Sequence, residues 1–215
     1  VYIPLVLLLR VDPTQLTSVA FKPAVDALRS GGVVAFPTET FYGLAADPRS
    51  SVAVAKVFAL KRRAADQPLP LIAANLAQVS EHVGTMTPLA SRLAARGWPG
   101  PLTLVIPASP QLCGDVHLGT GKVAVRVPGH AIARALAENA GHAVTSTSAN
   151  LSAATPPSTA EEVHATFGDT IDVLIDGGPT TGGLPSTIVD ATGTVPVLIR
   201  EGILPWKRVL EFLHD

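Results

Sequence analysis

Val33-Val34-Ala35-Phe36-Pro37-Thr38-Glu39-Thr40-Phe41-Tyr42-Gly43-Leu44 joins a strand-length apolar run to a turn crowded with two threonines and a glutamate. The run lacks strict alternation, as strands covered on both faces do. Pro37 ends it, because proline has no N–H for a sheet ladder. Loops at strand ends are where α/β sheets bind ligands. An ordinary ST-turn with a packed Tyr42 would give the same pattern.

Outward from this stretch, apolar runs alternate with helical patterns. The other predicted strands are Ile3–Leu9, Leu69–Ala73, Leu102–Ile106, Val123–Val127, Ala143–Thr145, Val173–Asp176, Ser186–Asp190 and Val197–Arg200. Helices are marked by their ends. Ala24–Ser30 stops at Gly31-Gly32, Ser51–Leu60 carries Val54, Val57 and Phe58 on one side, and His130–Ala140 stops at Gly141. Thr87-Pro88 opens a helix that closes at Gly97, and Trp206–Leu213 forms the last. Ser158 with Glu161 reads as a capping box on a helix closed by Gly168. The pattern predicts one α/β domain over residues 1–215, with a mixed sheet and with 1–20 as an N-terminal strand and turn.

Composition narrows the class. Of 215 residues 47% are apolar and 15% charged, which excludes a disordered chain. A formal charge of −1 argues against a surface that traps polyanions everywhere, and leaves room for a local basic cleft. The single cysteine, Cys113, excludes an intrachain disulfide framework. The six histidines show no metal-ligand spacing. Val1–Leu9 is apolar but too short to span a bilayer and has no basic flank, so a cytoplasmic protein with no membrane contact is expected.

Two polar clusters stand out against this apolar background. Lys61-Arg62-Arg63 follows the Ser51–Leu60 helix, where cations also simply complement the dipole. Ser146-Thr147-Ser148-Ala149-Asn150 follows an apolar strand, and Ser146, Ser148, Asn150 and Ser152 recur at a two-residue rhythm that would put them on one side. A cationic clamp facing a shelf of hydroxyls and amides suits the phosphates of a nucleotide, and makes an ATP-using enzyme the leading expectation. On Lys122–Val127 the residues Lys122, Ala124 and Arg126 share one face, either wet or lining a cavity. Trp98-Pro99-Gly100-Pro101-Leu102-Thr103 reads as an architectural turn. No Gly-x-Ser-x-Gly elbow, Gly-x-Gly-x-x-Gly or P-loop is present.

Seven segments in this order, PTETFYGL (37–44), KRR with QPL (61–69), WPGPLT (98–103), VAVRVPGH (123–130), STSANLS (146–152), PSTIVD (185–190) and LIREG (198–202), resemble the YrdC-like family of L-threonylcarbamoyl-adenylate synthases. The likeness runs over about residues 24–213 and implies the short, single-domain form. It also implies a twisted mixed β-sheet flanked by helices around a concave, positively charged cavity. Such enzymes join L-threonine, bicarbonate and ATP into threonylcarbamoyl-AMP and release pyrophosphate. Partner transferases then carry the threonylcarbamoyl group to adenosine 37 of tRNA.

The resemblance implies that Thr40, Arg126, Ser146 and Ser186 bind threonine. It implies that Lys61, Arg63, Gln67, Lys122, Ser148, Asn150, Pro156 and Arg200 hold ATP, with Lys61 and Arg63 as the catalytic phosphate clamp. Magnesium is expected with ATP, with no protein-held metal, no organic cofactor and no general base. Removing Lys61 or Arg63 is expected to cripple turnover and spare the fold. Four positions depart from the family pattern: Ala64, Ile72, Ala153 and His142. Ile72 replaces a histidine on the threonine side and bears on amino-acid selectivity. The competing functions are a double-stranded RNA or tRNA-binding module without catalysis, and a paralogue acting on another amino acid or carbamoyl substrate.

Overall fold

The computed structural model describes residues 6–62 and 67–214, so Arg63 and Ala64 lie outside the described residues. The strands are β1 (Leu7–Arg10), β2 (Val34–Pro37), β3 (Tyr42–Ala45), β4 (Leu71–Ile72), β5 (Leu102–Pro107), β6 (Lys122–Arg126), β7 (Val144–Thr145), β8 (Thr147–Ser148), β9 (Val173–Asp176), β10 (Thr187–Asp190) and β11 (Val197–Arg200). The helices are α1 (Ser18–Arg29), α2 (Ser51–Lys61), α3 (Leu76–Gln78), α4 (Pro88–Gly97), α5 (Gly114–His117), α6 (Ala131–Ala140), α7 (Ala160–Phe167) and α8 (Trp206–Glu211), with a π-helical turn at Val79–Val83.

The strands form two mixed sheets where the sequence pattern suggested one. The first runs β1-β9-β2-β3-β8 and the second β11-β10-β5-β6-β4-β7. The division falls inside the small polar segment. β7 pairs with β4 in the second sheet, and β8, one residue further on, pairs with β3 in the first. Ser146 is the single residue between them.

β2 is buried on both faces. Val33 and Ala35 join the large core shared with Leu71, Leu104 and Val125 of the second sheet. Val34 and Phe36 join a second core with Phe21 and Leu28 of α1 and Ile132 and Leu136 of α6.

Helix ends follow their capping residues, with two shifts. α1 begins at Ser18, capped by Thr17, and runs through Pro23, which the sequence reading had placed before the helix. The capping box on α7 is Thr159 with Glu162, one residue later than predicted. Ala160, Val163 and Phe167 are then the residues that reach the core. α6 closes as expected at Gly141, whose φ of 80° is left-handed. Among the described residues no helix is long and apolar enough to cross a membrane.

Candidate functional site

A cavity of about 500 Å3 opens between the two sheets. Its floor is the second sheet, through Thr103 and Val105 of β5, Ala124 and Arg126 of β6, Ile188 of β10, and Ile199 and Arg200 of β11. One wall is the turn after β2, with Thr38 and Thr40, and another is the strand switch at Ser146, Thr147 and Ser148. Gln67, Pro68 and Pro70 close one side, and Pro185 and Ser186 another.

The turn at residues 38–41 is both an ST-turn and part of the cavity. Thr38 Oγ1 donates to the Phe41 carbonyl at 2.7 Å and accepts from the Thr40 amide at 3.2 Å. Tyr42 is wholly buried, its hydroxyl donates to the Gly178 carbonyl at 2.8 Å, and burial pushes its pKa up to about 12. The loop after β9 thus lies on the turn, reinforced by the Gly182 amide on the Thr40 carbonyl at 2.7 Å.

Of the sequence-predicted residues, Thr40, Gln67, Arg126, Ser146, Ser148, Ser186 and Arg200 come together on this cavity. Arg126 is only 7% exposed. Burial lowers its pKa, and the adjoining Glu39 carboxylate, bonded to its Nη1, opposes that shift. Arg200 is lowered by burial and then by the nearby charge of Arg126, so two guanidinium groups sense each other here. Arg200 Nη2 donates to the Ser186 carbonyl at 2.9 Å, and the Ser186 and Thr103 hydroxyls meet at 2.8 Å.

The others sit elsewhere. Lys61 is 3% exposed and lies behind the polar shelf, where its Nζ donates to the Ser148 carbonyl, to the Asn150 carbonyl at 2.8 Å and to Asn150 Oδ1 at 3.1 Å. Asn150 turns inward, and its Nδ2 donates to the carbonyls of Leu151 at 2.9 Å and Ala154 at 2.6 Å. The two-residue rhythm therefore holds for Ser146 and Ser148 and stops there, leaving Ser152 exposed. Lys122 pairs with Asp190 at 2.9 Å at the far end of β6, and Pro156 is half-buried away from the lining. Ile72 stands opposite Arg126 in the ladder, but it is wholly buried in the second core and does not line the cavity.

Two participants were missed. Thr103 lay in the segment read as an architectural turn, although alternation along β5 with Val105 would have placed both on one face. Glu39 lay between the two threonines, and nothing in the sequence told which cation it meets. Among the described residues no group of three or more His, Cys, Asp or Glu side chains is placed to hold a metal ion.

The chain matches the Sua5/YciO/YrdC family, described as "Telomere recombination", over residues 26–202. It is 41% identical over 192 residues to the threonylcarbamoyl-AMP synthase of Pyrococcus abyssi, covering 89% of this chain and 56% of that protein. The synthase of Thiobacillus denitrificans is 42% identical over 176 residues, covering 81% of this chain and 93% of that protein. The solved structure of P. abyssi Sua5 complexed with L-threonine superposes with a TM-score of 0.88 at 38% identity, covering 97% of this chain and 60% of that one. Escherichia coli YciO gives a TM-score of 0.81 at 26% identity, covering 92% of this chain and 95% of that one. This chain spans little more than half the length of the Pyrococcus and Bacillus subtilis synthases it matches.

Proposed function

The chain belongs to the Sua5/YciO/YrdC family, and on that premise we propose that it is a threonylcarbamoyl-AMP synthase acting on L-threonine, bicarbonate and ATP. The observation that carries the reading is a buried arginine, Arg126, in the floor of a cavity whose walls present Thr40, Ser146 and Ser186. A guanidinium fork matches an amino acid's carboxylate, and three hydroxyls suit its amine and side-chain oxygen. The Sua5 structure with L-threonine supports this use of the same fold.

ATP takes the remainder of the cavity in this reading. Ser148, Gln67 and Arg200 line it, and the Lys61 charge lies one layer behind Ser148. Arg63, outside the described residues, completes the proposed phosphate clamp. Magnesium enters with ATP as part of the substrate. The amine and CO2 form a threonine carbamate, which attacks the α-phosphorus as pyrophosphate leaves. Positioning and fixed positive charge supply the acceleration, as in phosphoryl transfer generally. The product feeds a transferase that modifies tRNA, and the setting is cytoplasmic.

The test is pyrophosphate release from Mg-ATP and bicarbonate, with and without L-threonine and with L-serine as control. Threonine-dependent release with a new adenylate on chromatography is expected. Release driven only by another amino acid replaces the reading with a paralogous one. No release from folded protein overturns it.

A further inference from the structure

Buried Arg126 and partly buried Glu39 form a pair that is only half satisfied. Glu39 meets the guanidinium through Oε1 on Nη1, while its Oε2 is buried without a hydrogen-bond partner among the described residues. A buried carboxylate oxygen left unpaired is costly, and an arginine fork engaged through one nitrogen forgoes its strongest geometry. Arg126 lines the cavity, and Glu39 comes from the turn forming its wall without itself lining it. The guanidinium that suits a substrate carboxylate thus already meets one of the protein's own.

We infer that Glu39 competes with the amino-acid carboxylate for Arg126, and that binding requires its displacement. This rests on the amino-acid-binding reading of the cavity. Glu39 is thereby a positioning residue that sets amino-acid affinity by competition. A free α-carboxylate can bond the guanidinium through both oxygens, which Glu39 does not do here.

Displacement falls to the side chain. The backbone at Glu39 is fixed by the 38–41 turn and by Thr181 Oγ1 on the Glu39 carbonyl at 2.5 Å. His130 also has a buried Nδ1 without a partner among the described residues. Burial lowers its pKa, and the Glu39 charge opposes that shift.

The experiment is calorimetric titration of L-threonine into the full chain and into Glu39→Gln, without ATP. The variant is expected to bind about tenfold tighter, because less of the protein is held in the self-occupied state. Binding detected only in the variant supports the inference equally. Equal or weaker binding by the variant, with the parent binding, overturns the inference and leaves the substrate reading intact. Binding by neither protein overturns the substrate reading, and the inference with it. L-threoninol, which lacks the carboxylate, is expected to gain nothing, and an equal gain for it overturns the inference. Should Glu39→Gln fail to fold, a structure of the parent chain with L-threonine decides. Glu39 more than about 4 Å from Arg126 is expected, and an unbroken pair overturns the inference.

Discussion

Lys61 and Arg126 are both buried cations, one behind the cavity wall and one on the cavity, and their partners set them to different tasks. Arg126 faces the cavity and is built for a planar anion. Arg126→Lys keeps the charge and loses the fork, so the KM for L-threonine is expected to rise about 30-fold, or about 2 kcal/mol. The KM for ATP should change little, and steady-state kinetics with each substrate varied separates the two. Lys61 instead ties Ser148 to Asn150 from behind. Its removal therefore costs more than charge at the phosphates, and the expectation that the fold is spared does not carry over to it. Lys61→Met leaves the Asn150 carbonyl without its donor, while the Ser148 carbonyl and Asn150 Oδ1 keep the Asn150 amide and the Ser148 hydroxyl, and should cost about 2 kcal/mol, visible as a lowered Tm in a thermal melt. At this scale the sequence disclosed which strand face Arg126 occupies, through the period of two. It did not disclose Asn150's inward turn or Glu39's partner, because both depend on residues about 90 positions away.

The β10–β11 hairpin carries Ser186 and Arg200 to the cavity, and its geometry depends on Gly202. A Cβ there would sit 2.0 Å from the Pro185 carbonyl oxygen and 2.6 Å from the Ser186 carbonyl carbon. Backbone cannot swing aside as a side-chain tip can. Gly202→Ala should cost about 2 kcal/mol and displace Pro185 and Ser186. Denaturant melts and a raised KM check both effects. Elements bounded by glycine or proline were plain from the sequence, as α4 and β9 show. β3 and β8 were not. Tyr42–Ala45 contains a glycine and follows a turn motif, and Thr147–Ser148 is two polar residues. Each is a strand because of what it pairs with, and local propensity does not report that. The α7 cap slipped by one because Ser158 and Thr159, like Glu161 and Glu162, are equally suited; core contact at Ala160 chose between them.

Stability of the whole molecule should depend on pH through its buried histidines. Burial lowers the pKa of His142 from 6.5, opposed first by its hydrogen bond to the Ala143 carbonyl at 2.8 Å and then by Asp47, whose Oδ2 lies 3.6 Å from Nε2. His130 is lowered as well, again chiefly by burial. The unfolded chain then binds protons that the folded one resists. Stability should fall as pH drops below about 6.5 and level off below the folded-state pKa values. His142→Asn should flatten that limb, measured as Tm across a pH series.

The two sheets exchange the chain at a single residue. Thr145 belongs to one ladder and Thr147 to the other, while the Ser146 amide between them is bonded to the Pro70 carbonyl at 2.8 Å. No loop there can open by itself, since slack on either side tears a ladder. In deuterium exchange, the amides of Ser146 and Ala149, bonded to the Pro70 and Tyr42 carbonyls, should therefore be among the slowest of the cavity wall. Loosening the seam would then unpin the pocket from both sheets at once, so the life of the pocket is tied to that of its scaffold.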